Sequence, residues 1–388
     1  MPATPTPSPV PLLLLTLVFY LNFIARIIAA PLLPEIEKSL ALSHGQAGSF
    51  FLCISSGYFI ALLCSGFVST RLGHKKNIVV SLATLSLSLL LLSFSSVLPA
   101  LQVSFFSLGL AAGMYLPSGI ATITELYPAR LLGRAFGVHE IAPNLAFLSA
   151  PLIAARLLPL MCWQQVFLCL SAVTALATLL YILTGKSAHF KGASPTADVF
   201  LELIVLPRFW LMVMLFSMGI TATHGVYSVL PMFLVSVHGM DEQGANMLVG
   251  LSRSTTLITA FLGGWLADRF GALGTIASVL LLTGLFTVLL AISPNGLLPV
   301  WIWLQPLVAV CFFAPAFSIL SRIGSERGRS LVVSLAIPLS FVIGGGIVPA
   351  GIARMADSGH FSLGLVGAGI FIGSGSVLIT LFGWRQQS

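Results

Sequence analysis

Gly66-Phe67-Val68-Ser69-Thr70-Arg71-Leu72-Gly73 returns 198 residues later as Gly264-Trp265-Leu266-Ala267-Asp268-Arg269-Phe270-Gly271. Each copy leaves an apolar stretch, presents an arginine and stops at a glycine. Pro117 and Pro315 keep the same offset, and Gly133-Arg134-Ala135 matches Gly328-Arg329-Ser330 at 195, a small slip across a loop. The chain therefore reads as one unit used twice. The two copies are joined by the longest polar stretch, Gly185 to Pro207, which holds Lys186, Lys191 and Asp198 among Gly, Ser and Pro.

Around these motifs the 388 residues are 57% hydrophobic and only 7% charged, against about 25% charged in a soluble domain. The balance of 18 basic over 11 acidic residues gives +7. The basic residues fall in short gaps between apolar runs, with no basic tract interleaved with aromatics, so a nucleic-acid surface is excluded. Crossing the hydrocarbon core takes about 20 mostly apolar residues. Twelve such stretches are centred near Asn22, Tyr58, Leu87, Met114, Phe147, Ala175, Ala222, Thr256, Leu282, Val310, Phe341 and Phe371. The expected architecture is an all-α membrane protein of twelve spans in two pseudo-symmetric six-helix bundles. Residues 11–184 and 208–388 form the bundles, 1–10 a tail and 185–207 a linker. Cys53 and Cys64 lie too far apart along one helix to bridge. With five cysteines in all and no C-x-x-C, neither a disulfide framework nor a metal or cofactor site is expected.

If the N-terminus lies inside, thirteen Lys and Arg fall in inner loops and only Lys38, Arg156 and Arg354 in outer ones. That asymmetry predicts both termini in the cytoplasm. The expected setting is a bacterial-type inner membrane, with the lipid bilayer as a partner and a monomeric state. Internal duplication around a central linker is also how transporters with a mid-membrane site are built.

The repeated motif resembles the signature of the major facilitator superfamily, G-x-x-x-D-R-x-G-x-[RK]-[RK], found between its second and third spans. Gly66, Arg71, Gly73, Lys75 and Lys76 match it, with Thr70 in the place of Asp; the second copy keeps Asp268 and Arg269 but lacks the basic pair. The resemblance implies a cytoplasmic gate at these residues, where the Asp caps a helix and pairs with basic groups. Glu125, at the inner end of the fourth span, is expected to pair there with Arg130 or a signature arginine.

Two arginines lie inside spans, where translocon scales charge roughly 2.5–3.5 kcal/mol for each. Arg26 has Asn22 one turn earlier on the same face. It either snorkels toward headgroups on its long stem or lines a cavity as an anion ligand. Its Arg-x7-Pro spacing to Pro34 is similar to the organic-anion branches of the superfamily, the anion:cation symporters and organophosphate antiporters. There the corresponding arginine binds carboxylate or phosphate. Those symporters usually carry Asp just before it, whereas this chain has Ala25. Arg253, in the eighth span, is similar to an arginine of monocarboxylate and oxalate porters. His224 sits at the pseudo-equivalent of Arg26, 198 residues on. It is either bonded to a neighbouring helix or opposes Arg26 across a cavity, with Tyr227 and Ser228 one turn further on. Tyr58 and Tyr115 are candidate linings, or packing aromatics. His139 and Glu140, opening the fifth span, are either a proton carrier or a pair at the inner gate.

Gly109-x-x-x-Gly113, Gly133-x-x-x-Gly137 and Gly369-x-x-x-Gly373 read as points of close helix approach. No nucleotide or hydrolase motif is present, so a gradient is the expected energy source. The resulting expectation is a secondary active transporter of a small organic anion, carboxylate-bearing and proton-coupled. Its site would use Arg26, Arg253, His224, Tyr115, Tyr58 and Asn22. An exporter of amphipathic drugs or lipids, or a non-transporting sensor on the same fold, are the alternatives.

Overall fold

The computed structural model describes residues 8–188, 204–320, 323 and 329–383, and among them every regular element is helical. Eleven helices are long and apolar enough to cross a membrane. They are span one (Val10–Leu40), two (His44–Leu72), three (His74–Phe94), four (Leu98–Leu126), five (Arg130–Leu157), six (Trp163–Thr184), seven (Pro207–Ser236), nine (Ala272–Ile292), ten (Leu298–Leu320), eleven (Ser334–Asp357) and twelve (Phe361–Leu381). The eighth crossing comes in two pieces, Glu242–Ser252 and Thr256–Phe270, with a turn over residues 253–255. Hydroxyls make that break. Ser252, Ser254, Thr255 and Thr256 each donate to the carbonyl three residues back, at 2.7–3.2 Å, competing with the helix for its own acceptors. Span one is interrupted at Ile28, because Pro31 has no N–H to offer the Ile27 carbonyl. Most of the expected linker lies outside the described residues.

The duplication is visible in three dimensions. Gly73 and Gly271 end spans two and eight at φ +78° and +83°, a conformation glycine adopts without a Cβ penalty. Asn22 ties span one to span four through the Ala112 carbonyl at 3.1 Å, and Gln305 ties span ten to span seven through the Ala222 carbonyl at 2.7 Å. Where spans three and six meet, Ser86 and Ser171 exchange hydrogen bonds to each other's carbonyls at 2.9 and 2.7 Å. The 198-residue offset carries them to Gly284 and Gly369. There a Cβ on Gly284 would come 2.6 Å from the Gly369 carbonyl oxygen.

The glycine pairs divide. A Cβ at Gly109 would collide with the Ile54 carbonyl, and one at Gly113 would sit 2.6 Å from the Tyr58 carbonyl oxygen, so spans two and four touch backbone to backbone. Gly369 likewise packs on span nine. Gly133 and Gly137 face open space, so the reading of that pair as a packing contact is corrected. The spacing is the same, but the face carrying it has no neighbour.

Four apolar cores show how the halves sit. The smallest joins Tyr58 and Ala112 to Ile220 and Phe341 across the halves. A large one is also built from both halves, joining Ile24–Ile36, Tyr227–Leu234 and Ile352–Phe361 near the loops at 41–43 and 358–360. The buried residues of the other two belong to one half each, Leu12 to Tyr181 and Phe209 to Ile379. Among the described residues the large shared core therefore lies at one end, here the closed end, away from the linker end. Span five accordingly packs on the first piece of span eight far more than on the second.

At the closed end the first turn of span two is held from the other half. Asp357, at the end of span eleven, accepts from the Gly45 N–H at 3.1 Å and from the Ser43 hydroxyl at 3.0 Å. This adds an acid to a helix N-terminus already capped by Ser43 and Gln46. Asn246 in span eight donates to the Pro31 carbonyl at 3.0 Å. Removing an acidic cap costs about 0.5–2 kcal/mol. Asp357→Ala is therefore expected to let the closed end open roughly 2- to 30-fold more often. The readout is the rate at which a cysteine at Ser55, buried against Gly346 of span eleven, reacts with an impermeant thiol reagent applied from that end. An unchanged rate would show that Asp357 does not hold the halves together.

Candidate anion-binding site

Where the two halves meet at mid-depth, Arg26, Tyr58, His224 and Arg253 converge from spans one, two, seven and eight. Arg26 ends the first segment of span one, just before the Pro31-induced break. Its guanidinium carbon lies 4.5 Å from the ring centres of Phe23 and Tyr58 and 5.5 Å from that of Phe341. Arg253 stands in the break of span eight, 5.3 Å from the ring of Phe147 and 5.1 Å from that of Tyr227. The residues are only 2% and 3% exposed. Among the described residues neither forms an ion pair, and both Nε atoms lack a hydrogen-bond partner.

His224 lies in a π-helical turn, Thr221–Gly225, that faces a second one, Ile343–Ile347, in span eleven. Gly344 permits the approach, because a Cβ there would strike the Ser217 carbonyl. The His224 ring sits 4.8 Å from Phe341 and 5.9 Å from Phe147, within electrostatic reach of both arginines. Its Nδ1 is unpartnered, as is the Tyr227 hydroxyl. The site is thus a box of aromatic faces holding two cations and several unsatisfied polar atoms. Aromatic faces attract a guanidinium but do not neutralise it. An entering anion would supply both charge and hydrogen-bond acceptors.

Three expected site residues point elsewhere. The Asn22 amide is engaged with the Ala112 carbonyl. The Tyr115 hydroxyl donates to the Leu15 carbonyl at 2.8 Å and lies 3.0 Å from His139 Nε2. The His139 ring is buried flat against Phe19, centroids 4.3 Å apart. Glu140 is 61% exposed, with Oε1 3.6 Å from His139 Nδ1. Phe23, Phe147, Phe341 and Tyr227 complete the box. The phenylalanines carry no sequence signal apart from lying near span centres, and the Gly344-Gly345-Gly346 run marks the close approach beside Phe341.

The repeated motif holds no latch between Asp268 and a basic group among the described residues. Asp268 and Arg71 are exposed, and Arg269 stacks on Trp265 and Phe270 at 5.6 and 5.8 Å. The Thr70 hydroxyl donates to its own helix at the Phe67 carbonyl, 2.7 Å away. Gly66, one turn before Thr70, is half-buried. Glu125 lies within electrostatic reach of His74.

Two six-helix halves closing over a polar mid-membrane site define a membrane transporter rather than an enzyme. The chain belongs to the Major Facilitator Superfamily, whose family model matches residues 15–349. It is similar to the Probable sulfoacetate transporter SauU of Cupriavidus necator, 24% identical over 305 residues, covering 72% of this chain and 70% of that protein. It is also similar to the Probable nitrate transporter NarT of Staphylococcus haemolyticus, 22% identical over 280 residues and 72% of each chain. Among solved structures, a bacterial homolog to the human lysosomal transporter Spinster superposes with a TM-score of 0.80 at 18% identity, over 95% of each chain.

Proposed function

We propose that the protein is a secondary active transporter that moves a small organic anion by alternating access, driven by protons. The observation that carries this reading is the pair of buried arginines, one from each half, with no counter-ion among the described residues. A buried charge without a partner is strongly destabilising, so an anion gains both guanidinium groups at once. The names of the relatives, sulfoacetate and nitrate transporters, support an anionic cargo. In this reading the linker end is cytoplasmic, as the basic-residue asymmetry requires, and the halves are clamped on the far side. The bundles are residues 11–184 and 208–388, acting as a monomer in a bacterial inner membrane.

Glu140 is the proposed proton carrier. It is exposed beside His139 and within electrostatic reach of Tyr58, close enough to act on the site without binding the anion. The test is uptake into proteoliposomes under an imposed pH gradient. The wild type is expected to accumulate substrate only with the gradient. Glu140→Gln is expected to keep exchange of internal for external anion but to lose accumulation. Equal accumulation with and without the gradient would overturn the coupling; no anion flux at all would overturn the function.

A further inference from the structure

We infer that the cargo is a short dianion, held with one anionic head on Arg26 and the other on Arg253, and that the Tyr227 hydroxyl completes the second head's site. This rests on the anion reading above and goes beyond it by naming the charge and shape of the substrate.

Charge balance comes first. The box holds two guanidinium groups, and among the described residues no acidic side chain forms an ion pair with either. A one-headed anion placed on either arginine leaves the other cation uncompensated among aromatic rings. Two negative heads neutralise both, in a setting where burial makes the attraction much stronger than in water.

The geometry keeps the two heads apart. Arg26 lies over Phe23 and Arg253 over Phe147, and those two rings stand edge to face at 5.3 Å. Each cation thus has its own ring of the pair, and a molecule with a head at each end gives each cation its own partner. His224 occupies the middle, touching Phe147 and Phe341.

The unsatisfied polar atoms mark the same two places. Buried polar groups are nearly always hydrogen-bonded, so a cluster of orphans indicates where a ligand bonds. Arg26 Nε is one, Arg253 Nε and the Tyr227 hydroxyl, within electrostatic reach of each other, are two more, and His224 Nδ1, within reach of both arginines, is the fourth. Tyr227 is completely buried, its ring packed on Phe147 at 4.9 Å. That packing gives its hydroxyl a fixed place beside Arg253.

The test measures binding to the purified full-length protein by titration calorimetry and thermal shift. Sulfoacetate and malonate serve as two-headed probes, acetate and methanesulfonate as one-headed ones. The two-headed probes are expected to bind at least about a hundredfold more tightly, since each head makes a charge-assisted contact. Tyr227→Phe, which keeps the ring and removes the hydroxyl, is expected to weaken them roughly tenfold to a hundredfold. A ring that only packed would leave binding unchanged. Acetate or methanesulfonate binding as tightly as the two-headed probes overturns the dianion, and unchanged binding of the two-headed probes to Tyr227→Phe overturns the role of the hydroxyl. If none of the four binds, the anion reading fails and this inference with it.

Discussion

Arg26→Met is expected to abolish transport while making the empty protein more stable. The two effects have one cause. Arg26 is buried against Phe23, Tyr58 and Phe341 without a counter-ion, so the empty site carries a charge that its surroundings do not neutralise. Methionine has similar length and no charge, and replacing buried ionic groups by apolar ones of similar volume is often neutral or stabilising by about 1–4 kcal/mol. The melting temperature of the substrate-free variant should therefore equal or exceed that of the wild type. Substrate, in contrast, loses a buried charge pair worth about 2–5 kcal/mol, which corresponds to a fall in uptake of roughly 30- to 3000-fold. Arg26→Lys should recover part of the loss, since it restores the charge but not the bidentate fork. Uptake and melting temperature measured on the same preparations decide the matter. A variant that lost stability along with flux would place Arg26 in the scaffold.

The second large effect is structural. Gly109→Val is expected to prevent accumulation of folded protein, whereas Gly137→Val should melt within about a degree of the wild type. Both glycines sit in G-x-x-x-G patterns, yet their surroundings differ. A Cβ at Gly109 meets the Ile54 carbonyl, and at neighbouring Gly113 the Tyr58 carbonyl, because spans two and four are in backbone contact there. Valine forces that interface apart along its length. Overpacking costs about 1–3 kcal/mol where side chains can yield, and a backbone carbonyl yields less. At Gly137 nothing lies within reach of a Cβ. The measurement is monodispersity and melting temperature in detergent. Similar behaviour of the two variants would show that the separation between spans two and four is not limiting.

Much of this was legible along the chain. The hydropathy runs locate all twelve crossings, including the eighth, although that one is too interrupted to stand as a single long helix. The 198-residue offset anticipates the paired glycine turns at Gly73 and Gly271. Arg26 and Arg253 attract notice because an intramembrane cation is costly wherever it stands. Asn22, Tyr115 and His139 attract notice as polar groups within apolar spans, yet each has polar atoms engaged with neighbours inside the first half. Neither spacing nor residue type separates the two groups. Tyr58 and Tyr115 are both buried tyrosines near span centres, and only one of them lies under a guanidinium.

The number of spans, their duplication and the presence of charges that need a reason can therefore be read along the chain. These are local properties: twenty apolar residues cross a bilayer whatever their neighbours, and a buried charge is costly in any packing. The tertiary structure alone decided which of the polar groups meet, that phenylalanines rather than carboxylates surround the arginines, and that Asp357 joins the halves at the closed end. Those outcomes depend on how each helix is rotated and where it is broken. A turn at Ile28, another at Arg253 and two facing π-helical turns help bring residues from six spans together, and no single helix contains that information.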